Sequence, residues 1–149
     1  MEYYSPEDPD FSLWYSFRRA HEAIHQVRKA EVRKYKLSTV ETAVLLIVNQ
    51  GKNKVTPAEI SRQLLKDPHS ISQLLVRMEK RGLVKNVKGL PRKNMIRVKL
   101  TSKGQKAFKN SLEGNNLGKI FSILTEDEKE QFHLYCEKIR EMAMSVLPK

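Results

Sequence analysis

The sequence predicts a mostly α-helical chain with one small β-hairpin, and three observations predict it. Ser or Thr followed three residues later by Glu recurs at Ser38/Glu41, Thr56/Glu59 and Thr125/Glu128, and each pair marks a capped helix start. Two β-prone runs, Leu83 to Lys88 and Met95 to Leu100, flank the turn-forming stretch Gly89-Leu90-Pro91-Arg92-Lys93-Asn94. Charge is concentrated as well. Between Arg62 and Lys106 lie 13 basic residues and two acidic ones, while the rest of the chain holds 15 of each sign, so this stretch carries the whole net charge of +11.

Each element has its own local signal. Trp14, Phe17, His21, Ile24 and Arg28 are spaced 3, 4, 3, 4 and predict a long helix within the first 35 residues. Ser38 and Glu41 open a second helix that runs to about Gln50, before Gly51. Thr56-Pro57-Ala58-Glu59 opens a third, to about Leu65, with Pro at the first position, where its missing N–H costs nothing. Asp67-Pro68 starts a fourth, which ends at Gly82 in the left-handed conformation. The hairpin comes next, with Ile96, Val98 and Leu100 inward, Arg97 and Lys99 outward, and its tip projecting into solvent. Thr101 caps a helix to about Leu112, Gly114-Asn115-Asn116 breaks it, and Thr125 caps a last helix to about Leu147. In that helix Phe132, Tyr135, Ile139, Met142 and Val146 repeat the 3, 4, 3, 4 spacing.

The 149 residues, 40% apolar and 30% charged, suffice for a single domain spanning 1–149 and exclude a large multidomain enzyme. The longest apolar run, Ala43 to Val48, is far too short to span a membrane. Glu2, Glu7, Asp8 and Asp10 stand where a secretory signal would place cations, so a cytoplasmic protein is expected. Cys136 is the only cysteine, which leaves no intrachain disulfide and no cysteine-rich zinc site.

Two short capped helices and then a hairpin, all within the basic stretch, have the order of a winged helix-turn-helix over residues 37–104. On a helical wheel Ile71, Leu74, Leu75 and Met78 of the fourth helix share one side. The other side holds His69, Ser70, Ser72, Gln73, Val76, Arg77 and Lys80. Its short hydroxyls, amide and apolar methyls suit base edges: Gln pairs two-point with adenine, Ser donates or accepts, and Val76 meets a thymine methyl. Arg77 and Lys80 are placed for phosphates. Arg92 and Lys93 on the wing suit an adjacent minor groove, whose negative potential attracts cations. Thr56 and the amides at the helix starts at Pro57 and Pro68 would hold phosphates at positive dipole ends.

These residues resemble the MarR family of regulators over about residues 11–147. The resemblance is carried by Leu37-Ser38, Thr56 to Leu65, Asp67-Pro68, Met78-Glu79-Lys80-Arg81-Gly82-Leu83-Val84 and Leu100-Thr101-Ser102-Lys103-Gly104. It implies a homodimer whose first and last helices, residues 10–35 and 105–149, form the dimerisation region. A winged helix in each subunit would bind pseudo-palindromic double-stranded DNA. Trp14, Phe17, Phe132, Tyr135, Ile139, Met142 and Val146 are the expected dimerisation residues. Family members usually carry an aspartate before the basic wing residues, and this wing has none; Pro91 can restrict the loop instead.

The expected function is thus a sequence-specific transcriptional repressor, not an enzyme, with no cofactor and with possible control by a small molecule. An effector pocket could draw on Trp14, Phe17, Tyr35 and Tyr135, for which core packing is the simpler reading. Two other readings compete. The basic face can serve an acidic protein partner. His21-Glu22-Ala23-Ile24-His25 matches the zinc-peptidase pattern H-E-x-x-H, but no strand precedes it and no third-ligand motif comes after it. A metal-sensing role for His21 and His25, with His133 or Cys136, is the weaker form of that idea; His21 is otherwise a packing residue, His25 exposed, and Cys136 a buried spectator.

Overall fold

A computed structural model describes residues 4–88 and 95–149. Its helices are α1 (Pro9–Arg33), α2 (Thr39–Gln50), α3 (Pro57–Leu64), α4 (Pro68–Lys80), α5 (Ser102–Ser111), α6 (Asn116–Phe121) and α7 (Glu126–Val146). The strands β1 (Val84–Lys88) and β2 (Ile96–Leu100) lie between α4 and α5. The chain divides into two compact units, one running to Gly114 and the other from Asn115 to Lys149.

In the first unit each helix starts on a side-chain cap. Asp8 accepts from the Asp10 and Phe11 amides, and Pro9 comes next as the first residue of α1. Ser38/Glu41 and Thr56/Glu59 form reciprocal capping boxes on α2 and α3. Such a cap contributes about 1 kcal/mol. One core gathers Val44, Leu45 and Val48 of α2 with Ile71, Leu75 and Met78 of α4, all nearly or fully buried. Val32 from the end of α1, Ile60 from α3, and Leu83, Val84 and Val98 from the hairpin close it.

The hairpin is antiparallel, with Val84 opposite Leu100 and Lys88 opposite Ile96. Val55 adds a single bridge to β2, taking the Val98 amide at 2.9 Å, and so ties the α2–α3 turn to the wing. Val98 and Leu100 are buried as their alternation requires. Ile96 is 40% exposed, contrary to the sequence expectation, because it pairs with Lys88 at the end of the ladder farthest from the core.

Two glycines act through space rather than conformation. Gly51 has an ordinary negative φ, but a Cβ there would lie 2.2 Å from Val55 Cγ1. A Cβ at Gly104 would lie 1.9 Å from the Leu83 carbonyl oxygen, so only glycine lets α5 start against that turn. Thr101 locks the junction by accepting the Gly104 amide at 2.9 Å and donating its hydroxyl to the Gly82 carbonyl.

In the second unit Thr125 and Glu128 form a third capping box at the start of α7. Sequence reasoning missed α6, a six-residue helix whose N-cap Asn115 makes no side-chain cap bond. Neither α6 nor α7 buries a residue.

Candidate nucleic-acid interface

The presentation of α4 begins with its inner side, where Ile71, Leu74, Leu75 and Met78 are buried and fix the helix in rotation. Burying such side chains contributes about 1.5–3 kcal/mol each. His69, Ser70, Ser72, Gln73, Val76, Arg77 and Lys80 are all exposed on the other side, Val76 at 49%. Among the described residues the side chains of Ser72 and Gln73 make no hydrogen bond. Glu79, the one acid of α4, accepts from Asn86 Nδ2 at 2.7 Å and is thereby held to β1.

The C-terminal end of α4 is anchored by bonds from three directions. Gly82, at φ +73°, closes a Schellman motif in which the Leu83 amide reaches the Met78 carbonyl and the Gly82 amide that of Glu79, both at 2.9 Å. Arg81 pairs with Glu41 on α2 and donates to the Lys36 carbonyl, and Lys103 Nζ donates to the Arg81 carbonyl at 2.8 Å. Glu41 therefore serves two helices, capping α2 with one oxygen and holding α4 with the other.

The N-terminal end is braced locally. Asp67 Oδ1 accepts the Ser70 amide at 2.9 Å, and its Oδ2 accepts the Ser70 hydroxyl at 2.6 Å. These bonds, the hydroxyl's first, hold the Asp67 carboxyl below the usual carboxylate range. The Ser70 hydroxyl proton is therefore already engaged. Of the first three residues of α4, Pro68 has no N–H and the Ser70 amide is capped, which leaves His69 as the one whose amide hydrogen has no acceptor among the described residues. α3 repeats the pattern, since Pro57 has no N–H, the Glu59 amide goes to the Thr56 hydroxyl oxygen and Ala58 remains. Each helix start thus offers a phosphate one amide and its dipole, beside an acid. Thr56 is half-buried, with its hydroxyl at this position.

Arg92 and Lys93 lie outside the described residues, as does the rest of the expected wing tip, residues 89–94. Below it, Arg97 is not the free outward cation the alternation suggested: its Nη1 donates to the Lys54 carbonyl at 2.6 Å. The Arg81–Glu41 pair and the Asp67–Ser70 hydroxyl bond escaped sequence reasoning. The first joins residues 40 apart, whereas the second had a local signal in the spacing of Asp67 and Ser70.

The expected dimerisation residues are exposed within their own units. Trp14 and Phe17 lie on α1, and Phe132, Tyr135, Ile139, Met142 and Val146 lie on α7, with Met142 at 67% and Val146 at 73%. His21 and His25 stack with ring centroids 6.2 Å apart, and His25 is the less exposed of the two, the reverse of the sequence expectation. One turn of helix separates them, but no group of three His, Cys, Asp or Glu residues able to hold a metal exists among the described residues. Cys136 is half-exposed rather than buried, in a groove between α6 and α7. Tyr35 donates its hydroxyl to Glu113 at 3.3 Å, and burial, then the Glu113 charge, raises its pKa. No helix among the described residues is long and apolar enough to cross a membrane.

Residues 35–89 match the MarR family. The ligand-free crystal structure of the organohalide-sensing RdhR-CbdbA1625 transcriptional regulator is 28% identical, with a TM-score of 0.80 over 93% of this chain and 83% of that one. The same regulator bound to 2,4-dichlorophenol is 27% identical, with a TM-score of 0.75 over 95% and 89%. A cysteine-to-serine mutant of E. coli MarR complexed with operator DNA is 19% identical, with a TM-score of 0.79 over 91% and 99%. No curated protein matches the sequence significantly. The fold, mostly helical with a two-stranded hairpin after α4, is that of winged-helix transcriptional regulators of the MarR family.

Proposed function

We propose that this chain, whose residues 35–89 match the MarR family, is a dimeric, sequence-specific DNA-binding repressor without catalytic activity. One observation carries the reading: α4 buries Ile71, Leu74, Leu75 and Met78 and turns outward a side of uncharged polar groups flanked by Arg77 and Lys80. A solvated surface helix would mix acids with its cations, whereas a groove-reading helix pairs short hydrogen-bonding side chains with phosphate-neutralising ones. Thr56, Pro68, His69, Ser70, Ser72, Gln73, Val76, Arg77, Lys80, Arg92 and Lys93 form the proposed DNA-binding set. The winged helix occupies 37–104 and the dimerisation helices 10–35 and 105–149 of one domain.

The exposed apolar stripe of α7 supports the dimer, since a 21-residue helix that buries nothing in its own unit gains stability by covering Ile139, Met142 and Val146 with a second copy. Recognition helices of such a dimer enter successive major grooves about 34–36 Å apart. The similarity to a regulator solved with 2,4-dichlorophenol supports control by a small aromatic effector. The protein would act in the cytoplasm, where its DNA lies.

The test is selection of bound duplexes from a random pool, then anisotropy titration of the winner at several salt concentrations. The expected result is an inverted repeat whose affinity falls steeply with salt, with a log–log slope of about −0.9 per phosphate neutralised. A flat salt dependence, or a pool that yields no preferred duplex, refutes the proposal.

A further inference from the structure

We propose that the oxygen of Ser70 reads one base of each half-site purely as a hydrogen-bond acceptor, and that Asp67 fixes this polarity by holding the Ser70 proton. The inference rests on the DNA-binding reading above and adds a direction to one of its contacts.

A serine hydroxyl is ordinarily ambiguous, with one proton to give and two lone pairs to receive, and it rotates to suit either kind of base edge. Ser70 is not free to do so. Its oxygen lies 2.6 Å from Asp67 Oδ2, and its own amide donates to Asp67 Oδ1 at 2.9 Å. A charged carboxylate has no proton, so in the oxygen–oxygen contact Ser70 must be the donor. The charge persists at neutral pH, because the two bonds from Ser70 hold the Asp67 carboxyl below its usual range. The amide bond orients the carboxylate, and the hydroxyl bond to it fixes the Ser70 rotamer. What Ser70 keeps for a further partner is lone pairs only, on an exposed residue in the first turn of α4.

Recognition helices contact base edges mainly with residues of their N-terminal part. In the major groove adenine N6 and cytosine N4 donate, whereas guanine O6 and thymine O4 accept. An oxygen restricted to accepting therefore favours A or C on the strand it meets. G or T would set two acceptors against each other and leave both desolvated without a proton between them. Ser72 has no such carboxylate partner among the described residues and keeps the usual ambiguity. Asp67 touches no base in this scheme and is a positioning residue.

Duplex selection with the full chain and two variants tests this. Wild type should enrich A or C over G or T at one position of each half-site. Ser70→Ala should lose that preference, by about fivefold or more, at that position alone. In Asp67→Asn the amide oxygen still caps the Ser70 N–H, but its NH2 group now donates to the hydroxyl oxygen and frees the serine proton. The helix start is retained, and preference at that position should shift toward G or T with the other positions unchanged. A merely structural role for Asp67 would weaken all duplexes alike, and that result overturns the proposal. So does a Ser70→Ala variant that selects the wild-type site with wild-type preference. If wild type enriches no duplex, the DNA-binding reading fails with it; if wild type enriches a site that Ser70→Ala leaves unaltered, only the polarity assignment falls.

Discussion

Gln73 and Lys80 stand on nearly the same line along α4, since seven residues turn the helix by about 700° and advance it by about 10 Å. Both are exposed, so their distance along the helix and their side-chain chemistry separate their expected roles. Gln73, nearer the N-terminal end, can pair two-point with a base edge, a contact that discriminates by about 1–3 kcal/mol, or roughly 5- to 150-fold per half-site. Lys80, two turns on, has a flexible point charge suited to a phosphate. Gln73→Ala should therefore compress the affinity ratio between the selected duplex and a scrambled one while leaving the salt slope unchanged. Lys80→Ala should weaken both duplexes equally and, for a dimer losing two phosphate contacts, flatten the log–log slope by about 1.8. Anisotropy titrations of both variants on both duplexes at four salt concentrations separate the two effects. If Gln73→Ala weakens the duplexes equally, or Lys80→Ala alters their ratio, the division of the helix into a base-reading and a phosphate-holding end is wrong.

Three further expectations concern how α4 is held. Gly104→Ala places a methyl against the Leu83 carbonyl and should lower stability by about 1–3 kcal/mol, a Tm drop of roughly 2–12 °C; an unchanged Tm would show that the start of α5 can move freely. A double-mutant cycle of Arg81→Ala and Glu41→Gln should give a coupling of about 1–2 kcal/mol, the upper range for a charge-assisted bond being reduced because Arg81 is exposed, and strict additivity in urea melts would deny the pair a role. Asp67 has a folded-state pKa below its unfolded value, so it stabilises the fold above the unfolded pKa of about 4 and loses that contribution as pH falls through the lower folded value. The urea midpoint of wild type relative to Asp67→Asn should therefore decline between pH 5 and pH 2. A difference constant over that range would mean that the Ser70 bonds do not favour the charged carboxylate.

The range of each interaction decides how much of the fold and of the interface was legible in the sequence. Ser38, Thr56, Asp67, Thr101 and Thr125 all cap helices as read, because a cap is a bond between residues two or three apart and needs no tertiary context. The outer side of α4 was legible for a related reason: four apolar residues at helical spacing leave one orientation for the rest. The hidden features are long-range or lack a side-chain signal. Nothing local announces that Glu41 also serves Arg81, that Val55 bridges to Val98, or that Gly51 is small because Val55 is close. α6 begins without a side-chain cap bond from Asn115, and Gly114-Asn115-Asn116, whose last residue opens the helix, reads as a break, which marks the end of α5 but carries no signal for a new helix.

α4 is braced unequally. At its N-terminal end both side-chain cap bonds come from within the turn itself, from the Ser70 amide and hydroxyl to Asp67. At the far end the bonds run outward: Arg81 to Glu41 and to the Lys36 carbonyl, and Lys103 to the Arg81 carbonyl. The loop between α1 and α2, where Lys36 sits at φ +58°, is thus tied to the end of α4 by Arg81. The buried side of α4 belongs to the core of its unit, so its rotation is fixed by packing, whereas the Asp67–Ser70 turn is fixed by its own bonds. The two ends of α4 are therefore held by separate sets of bonds, the C-terminal one centred on Arg81 and the N-terminal one on Asp67.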